Sequence, residues 1–478
     1  MSKPENDKTT IKEKVGYGLG DTASNLYWKL FEFFQLKFYV DVFGISAAAA
    51  GTMFFVTKLW DAINDPMVGF VSDRTRTAWG RFRPYLLWMA LPLAITGVFT
   101  FYTPDLSPRG KLIYAYITYT AIFMAYTAIN IPYGALMGVI SSNPDERTVI
   151  STFRFVLAFV GAIIVQKFTM PLVGFFGGSR EVDVDGVKTT EYLDPQTGFF
   201  WVAVCYGVVA VILFVITFLT TKERVLPDPD QKSSFRADVK DLIGNGPWIV
   251  LMLVGLFQIL AGWTRGSITA FYFDNYVNQP FGNFLVLATV AGIAGMILTK
   301  PLTKVFGRRT LMIMMNVINA LLTASFFFLG KDQVVLMYVL NTTAAFVTGP
   351  VPVLLWSMYA DVADYSEWKN NRRATGLVFS AATFSQKLGG ALGAAIPGWL
   401  LRYYGYQAPV DGEKVEQSER TLNGIVMMMS FIPSAFLVLA AICLCFYSIN
   451  DTLLKQIEED LAKRKKSQEQ NSDSSPTE

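Results

Sequence analysis

Apolar runs long enough to cross a lipid bilayer follow one another along most of the chain, with short polar loops between them. A helix needs about 20 predominantly apolar residues to span the hydrocarbon core. The runs lie at 15–41, 46–73, 85–104, 112–140, 148–176, 199–221, 246–274, 281–306, 310–330, 334–366, 374–402 and 422–449. The pattern predicts an all-α polytopic membrane protein with about twelve transmembrane helices, which are counted in this order below.

A charged segment after the sixth run divides the chain into two halves. This segment, which begins KERVLPDPDQ, has the composition of a linker. The loops after helices two and eight read GFVSDRTRTAWGRFR and GMILTKPLTKVFGRR, and their similarity favours two pseudo-symmetric six-helix bundles. The alternative is that any cytoplasmic loop tends to be basic. The predicted parts are a tail (1–14), an N-terminal bundle (15–221), a central loop (222–245), a C-terminal bundle (246–449) and a second tail (450–478).

The basic loops also predict the orientation in the membrane. Arg74 to Arg83 follow helix two and Arg308 and Arg309 follow helix eight, on the same predicted side as both termini. The loop after helix five has five acidic residues against two basic ones, which fits the opposite side. Because cytoplasmic loops carry the excess of Lys and Arg, we expect both termini in the cytoplasm.

The amino-acid composition excludes several classes of protein and several kinds of site. The chain has 478 residues, 52% of them hydrophobic and 17% charged, and its mean hydropathy is +0.36. These values are too apolar for a soluble protein of this length. The absence of histidine excludes histidine-dependent catalysis, and the three cysteines lie in apolar runs, which predicts neither a disulfide framework nor a thiolate metal site. We expect no cofactor and no nucleic-acid partner.

Two carboxylates stand inside the apolar run of helix two. Asp61, Asn64 and Asp65 are spaced i, i+3 and i+4, so their oxygens fall on one helix face. Hard oxygen ligands suit Na⁺ or H⁺, because an ion that leaves water needs oxygens in exchange. The alternative is a structural charge network in which Lys58 and Lys387 neutralise the acids. The residues alone do not separate these interpretations.

Other polar side chains lie within predicted helices, where ionised groups are costly and mark candidate cavities. Asp21 follows GYGLG in helix one and is a candidate ligand for sugar hydroxyls or an interfacial cap. Asn130 precedes Pro132 in helix four and could face a cavity or bond to another helix. Arg265 in GWTRGS has three equal interpretations, which are substrate binding, pairing with an acid and snorkelling. The remaining candidates are Arg154 and Lys387, which can donate to sugar hydroxyls or pair with acids.

The motifs resemble one known family over nearly the whole chain. GYGLGD at Gly16, LWDAINDP, WGRFRP, ADVADYSEWK at Ala360 and SQKLGG at Ser385 are similar to the glycoside-pentoside-hexuronide:cation symporters, the melibiose permease-like family of the major facilitator superfamily. The resemblance implies a sugar transporter of a bacterial inner membrane. It also implies a coupling-cation site at Asp61, Asn64, Asp65 and Thr127, which favours Na⁺, with H⁺ or Li⁺ as alternatives.

The resemblance also implies substrate ligands. The family's sugar-binding residues of helices one, five and eleven match Asp21, Arg154 and Lys387, and we add Thr383, Asn130 and Arg265 as candidates. Melibiose permease has an aspartate and a tryptophan where this chain has Asn130 and Gly134. This difference disfavours an α-galactoside and favours the xyloside and glucuronide branches, and an anionic sugar is a further hypothesis.

We therefore predict a monomeric, Na⁺-coupled sugar symporter that works by alternating access and is not an enzyme. Its partners are the sugar, the cation and the lipid bilayer. The loop after helix two supplies a predicted cytoplasmic gate, formed by Asp73, Arg74, Arg81 and Arg83. The alternatives are a sodium-coupled lipid or lysolipid carrier, which requires a cavity with few hydroxyl partners, and a membrane-embedded enzyme, which requires an acid-base set that this sequence lacks.

Overall fold

A computed structural model describes residues 9–141, 143–184, 187–224, 245–370, 375–410, 414–450, 452–457, 459–461 and 463–464. The predicted central loop (222–245) falls largely on residues 225–244, which lie outside the described residues. The end of the second predicted tail (465–478) and most of the first (1–8) lie outside them as well.

The described residues form twelve long helical segments, one β-hairpin and shorter helical stretches after residue 451. The first six segments are α1 (Ile11–Phe33, continued by Gln35–Lys37 and the π-helical turn Phe38–Val42), α2 (Ala47–Arg74), α3 (Arg83–Trp88 and Ala90–Thr100), α4 (Pro108–Ile140), α5 (Pro144–Gly177) and α6 (Pro195–Thr220). The other six are α7 (Gly246–Tyr272 and the π-helical turn Phe273–Val277), α8 (Gly282–Ile297 and Thr299–Phe306), α9 (Arg308–Ala324 and the 3-10 turn Ser325–Phe328), α10 (Val334–Thr348 and Pro350–Asn370), α11 (Thr375–Tyr404) and α12 (Glu419–Met429 and Phe431–Cys445). The hairpin consists of β1 (Ser179–Val184) and β2 (Val187–Tyr192), which pair antiparallel.

The helical prediction is confirmed, and local chemistry explains where several helices begin. Side chains that accept a hydrogen bond from a first-turn backbone N–H cap the starts of α1, α2, α4, α6, α7 and α12, and they belong to Thr10, Ser46, Ser107, Asp194, Asn245 and Ser418. At the position of the hairpin, the sequence indicated only an acidic loop after helix five. Its Val-, Thr- and Tyr-containing segments favour extended backbone.

By length and apolarity alone, seven of the described helices qualify as membrane spans, and an eighth does if the two parts of α8, bent by 54°, are taken together. Segments that fall short include α1 and α2, which carry charged residues within the apolar run, and α3, which is interrupted at Met89. The charged residues that make α1 and α2 less apolar thus include Asp21, Asp61 and Asp65, which are candidate site residues.

The helices form two groups, each packed within itself, and the two groups contact each other. The segments α1 to α6 contact one another, the segments α7 to α12 do the same, and the main contacts between the two bundles join α2 to α11, α5 to α8 and α1 to α7. Because twelve successive segments run in alternating directions, the start of α1 and the end of α12 lie on one side, which we call the terminal face, and the opposite side is the hairpin face. The α2–α11 contact requires glycine, because a Cβ on Gly398 would lie 2.4 Å from the carbonyl oxygen of Ala47 and 3.0 Å from the Cα of Gly51.

The two bundles are joined by charged side chains near the hairpin face. Lys37, just before the π-helical turn of α1, donates to Asp41 at 2.9 Å and pairs with Asp274 in the corresponding turn of α7. The hydroxyl of Tyr406, after α11, donates to Asp41 at 2.8 Å, and Lys414 donates to the carbonyl of Asp274. These four side chains and their neighbour Lys414, which we call the hairpin-face network, tie the C-terminal bundle to the end of α1.

Ion pairs at the terminal face join helices of the same bundle. Glu13 of α1 pairs with Arg224 at 2.6 Å, and Lys14 pairs with Glu146 of α5 at 2.9 Å. In the half of α4 nearer this face, Gly134 and Gly138 look onto open space, because an added Cβ on either would meet nothing within 4 Å. Because charged side chains join the two bundles at the hairpin face, while these ion pairs at the terminal face stay within one bundle, we interpret the hairpin face as closed.

The close approach of α2 and α11 gives the first testable prediction. Gly398→Ala places a methyl group against backbone that cannot move without separating the helices, so we expect a loss of about 1–3 kcal/mol of stability and a lower Tm of the detergent-purified protein in a thiol-reactive dye assay. Gly262→Ala is the matched control, since nothing lies within 4 Å of its added Cβ. Equal Tm values for the two variants would contradict the proposed helix contact.

Candidate functional site

The acidic cluster predicted from the sequence lies on one face of the continuous helix α2. Asp61 and Asn64 are only 8% and 7% exposed, and Asp65 is half-buried beside them. Pro66 follows directly inside the helix and lacks a backbone N–H, so the carbonyl of Ala62 loses its intrahelical donor. The face therefore offers carboxylate and amide oxygens within about one helical turn, and a carbonyl without its intrahelical donor lies next to it in the same turn.

Thr127 of α4 completes this cluster from the neighbouring helix. Its hydroxyl donates to Asp61 Oδ1 at 2.5 Å and lies 3.2 Å from Asp65 Oδ1. One hydroxyl thus bridges the two carboxylates, which is the position a fourth oxygen ligand would take. The structure thus brings Thr127 to Asp61 and Asp65, and Asn64 is buried on the same face of α2.

Lys387 of α11 reaches the same carboxylates from the other bundle. Its ammonium donates to Asp61 Oδ2 at 2.9 Å and pairs with Asp65 Oδ2. Two carboxylates and one ammonium leave a formal charge of −1, which a monovalent cation would neutralise. Carboxylate, amide and hydroxyl oxygens are hard ligands, so the candidate ligand set suits a hard monovalent ion.

Lys58 lies close to the acids in sequence but makes different contacts. Its Nζ lies 3.2 Å from the ring centroid of Trp263 and donates to the carbonyl of Gly390 at 3.3 Å. Cation–π contact and a carbonyl can hold an ammonium in an apolar environment. The ion pairs that the sequence allowed as a structural charge network are therefore made by Lys387. Lys58 instead lies among aromatic rings.

A second charged cluster lies within the N-terminal bundle. Arg154 of α5 donates from Nε to Asp21 Oδ2 of α1 at 2.5 Å, and its guanidinium lies 5.2 Å from the ring of Tyr133. Tyr133 stacks on Tyr17 with ring centroids 4.7 Å apart, and each hydroxyl donates to the other residue's carbonyl. The Asp21 carboxylate is thus held by a partner, which argues against a role as a helix cap.

Asn130 lies between the two clusters. It is one turn beyond Thr127 on α4 and accepts a 2.7 Å hydrogen bond from Ser24, three residues after Asp21 on α1. Its amide donates to the carbonyl of Tyr126 at 3.0 Å. A substitution of Asn130 is therefore expected to disturb the side chains of both clusters.

Aromatic side chains that sequence reasoning did not select cover this region. Trp28 of α1 meets the indole of Trp263 of α7 edge-on at 5.3 Å, and it stacks on Tyr126 of α4 at 5.8 Å. Flat apolar rings beside hydrogen-bonding groups are typical of sugar sites. The residue spacing carries no signal for the partnership of Trp28 with Trp263, because the two residues lie on helices of different bundles.

Two other predicted substrate residues, Arg265 and Thr383, lie on α7 and α11 of the C-terminal bundle, whereas Asp21 and Arg154 lie on α1 and α5 of the N-terminal bundle. Arg265 lies over the ring of Phe326 at 4.6 Å inside the C-terminal bundle, and its Nε and Nη2 have no hydrogen-bond partner among the described residues. Thr383 is exposed one turn before Lys387 on α11. The contact with Phe326 directs Arg265 toward α9.

The predicted gate residues lie at the terminal face. The backbone N–H groups of Arg81 and Arg83 each donate to the carboxylate of Glu223, at 2.8 and 2.9 Å. Gly80 precedes them with φ +111°, and an added Cβ would lie 2.4 Å from the same carboxylate. Asp73 and Arg74 are exposed, and Arg74 stacks on Phe70 of its own helix. The loop is thus folded onto the N-terminal bundle in this conformation.

Comparisons with known proteins agree with this architecture. Residues 16–451 match the family described as MFS/sugar transport protein. The inner membrane symporter YicJ of Escherichia coli (strain K12) is 37% identical over 460 residues, which cover 96% of each chain. The isoprimeverose transporter of Lactiplantibacillus pentosus is 34% identical over 442 residues, which cover 92% of this chain and 88% of that one. A crystal structure of the nucleoside transporter NupG covers 92% of this chain and 100% of its own with a TM-score of 0.66 at 12% identity, which shows the same fold.

These matches confirm the resemblance predicted from the motifs, and they confirm the all-α major facilitator fold. They extend over both bundles, so they concern the whole helical part of the chain and not one motif. The chain is a multi-pass membrane protein that belongs to the MFS/sugar transport protein family.

Proposed function

We propose that this protein is a Na⁺-coupled sugar symporter. The observation that carries the proposal is the meeting of Asp61, Asp65 and Thr127 of one bundle with Lys387 of the other. An ion bound there acts on the contact between the bundles, which is the contact that must change during alternating access. The relatives' names as a symporter and an isoprimeverose transporter support the same function.

Coupling follows from competition for the carboxylates. Lys387 and Na⁺ both need the oxygens of Asp61 and Asp65, so ion binding weakens the pairing with Lys387. The released ammonium can donate to a sugar hydroxyl beside Trp28 and Trp263, and sugar binding in turn favours the ion. Such coupling is reciprocal, because each ligand must raise the affinity of the other by the same factor.

The sugar is a glycoside, pentoside or hexuronide in this proposal. Asp21, Arg154 and Asn130 would bind its hydroxyls, and the indoles of Trp28 and Trp263 would cover its apolar face. This polar lining is the opposite of the cavity that a lipid carrier requires. We place the terminal face, with both termini, in the cytoplasm of a bacterium and the hairpin face outside the inner membrane, and we propose a monomer that transports and does not catalyse a reaction.

The cation site gives a prediction for transport. In right-side-out vesicles, an inward Na⁺ gradient should drive accumulation of at least one sugar from a panel of isoprimeverose, xylosides, glucuronides, glucosides and galactosides. Asp61→Asn and Asp65→Asn should each reduce Na⁺-stimulated uptake by at least about tenfold, because a buried carboxylate ligand is lost. Asp105→Asn is the control, since Asp105 is exposed in the α3–α4 loop. Uptake in the parent protein that ignores both Na⁺ and pH would refute the proposal.

Lys387 gives a prediction that separates binding from coupling. Lys387→Ala leaves two carboxylates without the ammonium, so Na⁺ should bind at least as tightly as before, while the increase of sugar affinity by Na⁺ should fall to about onefold. Calorimetric titration of each ligand with and without the other measures both quantities. Lys387→Arg, which keeps the charge, should retain part of the coupling. Full coupling in Lys387→Ala would show that the ion pair is structural only.

The hairpin-face network gives a prediction for the conformational change. Lys37→Met removes the ammonium that joins Asp41 to Asp274, so we expect the outward-open population to rise. A loss of about 1.4 kcal/mol would shift the ratio of conformations tenfold. Spin labels on Leu106→Cys and Lys331→Cys, exposed on loops of the two bundles, report the separation by pulsed electron paramagnetic resonance in a background without the native cysteines.

The matched control for this experiment is Arg180→Gln. It breaks the 2.8 Å pair with Glu191 on the same face but within one hairpin, so the label distances should stay as in the parent protein. Distances in Lys37→Met that equal those of the control would show that the network does not hold the hairpin face closed.

A further inference from the structure

The ammonium of Lys58 lies in a cage of aromatic rings between the two bundles. Its Nζ lies 3.2 Å from the ring centroid of Trp263 and 5.9 Å from the centroids of Trp28 and Phe123. It donates to the carbonyl of Gly390 at 3.3 Å, and Lys58 is only 5% exposed. Aromatic faces and one carbonyl therefore take the place of water around this charge.

Two carboxylates act on Lys58 but are paired with other lysines. The charges of Asp61 and of Glu32 in α1 both attract the ammonium. Asp61 pairs with Lys387 at 2.9 Å, and Glu32 pairs with Lys29 at 2.6 Å. Lys58 thus lies in the field of carboxylates that can stabilise its ammonium outside the cage.

The indole of Trp263 is enclosed on several sides. Glycines of α11 lie against it, because an added Cβ on Gly390 would be 3.6 Å from its Nε1 and one on Gly393 would be 2.7 Å from its Cβ. Trp28 meets the ring edge-on at 5.3 Å. An atom 3.2 Å from a ring centroid must lie above the ring, so the ammonium of Lys58 covers a face of the indole. Trp263 is left only 6% exposed, which gives a sugar no place to stack in this conformation.

Lys58 is the neighbour of Trp263 that can leave most easily. Removal of α11 requires movement of a whole helix, and Trp28 is itself stacked on Tyr126 at 5.8 Å. The flexible four-carbon stem of a lysine lets its ammonium move away while the helices stay in place. An ammonium and the apolar face of a sugar both bind to the face of an aromatic ring, so they exclude each other at Trp263.

We propose that Lys58 is a built-in competitor of the sugar, whose ammonium occupies the indole of Trp263 in the empty site and leaves when a sugar ring stacks there. The inference rests on the proposed sugar site beside Trp28 and Trp263 and adds the regulation of that site. Glu32 receives the ammonium, because Asp61 takes the cation. The exchange also releases a contact between the bundles, since Lys58 belongs to α2 and both Trp263 and Gly390 belong to the C-terminal bundle.

The first test removes the ammonium and keeps the length of the side chain. Lys58→Met should lower the Kd of a methyl glycoside about three- to tenfold in Na⁺-free K⁺ buffer, because the sugar no longer displaces a cation from the ring. Lys58→Arg keeps a cation above the indole, so its Kd should stay within about twofold of the parent value. Calorimetric titration of the full-length protein with methyl xyloside, methyl glucuronide, methyl glucoside and methyl galactoside measures these values.

The second test returns the ammonium as a separate molecule. Lys58→Ala leaves a gap beside Trp263, and n-propylammonium supplies the atoms that this variant lacks. It should raise the apparent Kd of the methyl glycoside in proportion to its concentration, as a competitor does. The neutral analogue 1-propanol should have a much smaller effect, because it carries no charge for the rings to hold.

The matched control is Lys111→Met in the same bundle. Lys111 makes the same kinds of contact elsewhere, since its Nζ lies 5.8 Å from the ring of Phe43 and donates to the carbonyl of Phe43 at 3.2 Å. Its Kd for the methyl glycosides should equal that of the parent protein.

A higher Kd in Lys58→Met than in the parent would show that Lys58 binds the sugar or positions Trp263 for it, and an unchanged Kd would show a structural contact only. Either result, or a lack of competition by n-propylammonium in Lys58→Ala, would overturn the inference. Failure of the proposed function looks different, because the parent protein would then bind none of the four methyl glycosides with or without Na⁺.

Discussion

The pairing of Lys387 with Asp61 and Asp65 is the interaction on which the arrangement of the two bundles depends. Two carboxylates buried in an apolar helix bundle are costly unless a positive charge lies beside them. Here that charge comes from a helix of the opposite bundle, so the acids cannot be neutralised in this way without bringing α2 and α11 together. The same requirement makes the pair sensitive to any cation that offers the carboxylates another partner.

Small residues and charged residues have different roles along the interface between the two bundles. Near the hairpin face, Gly398 lets α11 approach α2 closely, and Lys37 joins the ends of α1 and α7. Near the terminal face, the pairs of Glu13 with Arg224 and of Lys14 with Glu146 stay within one bundle. A rigid-body rotation can therefore break the contacts between the bundles while these internal pairs keep the N-terminal bundle intact.

The two charged clusters of the N-terminal bundle are linked through α4. Thr127 belongs to the cation cluster, and Asn130, one turn further, contacts α1 beside Asp21. Pro132 and Pro66 lie next to these residues and remove backbone donors at similar depth. The proposed ion and sugar ligands thus share one helix, α4, and a shift of this helix when one ligand binds would also move residues of the other site.

The sequence by itself determined the twelve helices and the oxygen cluster on α2, because apolar run length and the i, i+3, i+4 spacing are local properties of the chain. Motif resemblance added Thr127, which no spacing could connect to Asp61 across 66 residues. Only the tertiary structure decided that Lys387 and not Lys58 meets the acids, that Trp28 meets Trp263, and that Arg265 faces α9. These contacts depend on how helices rotate and pack against one another, and many rotations are compatible with the same apolar pattern.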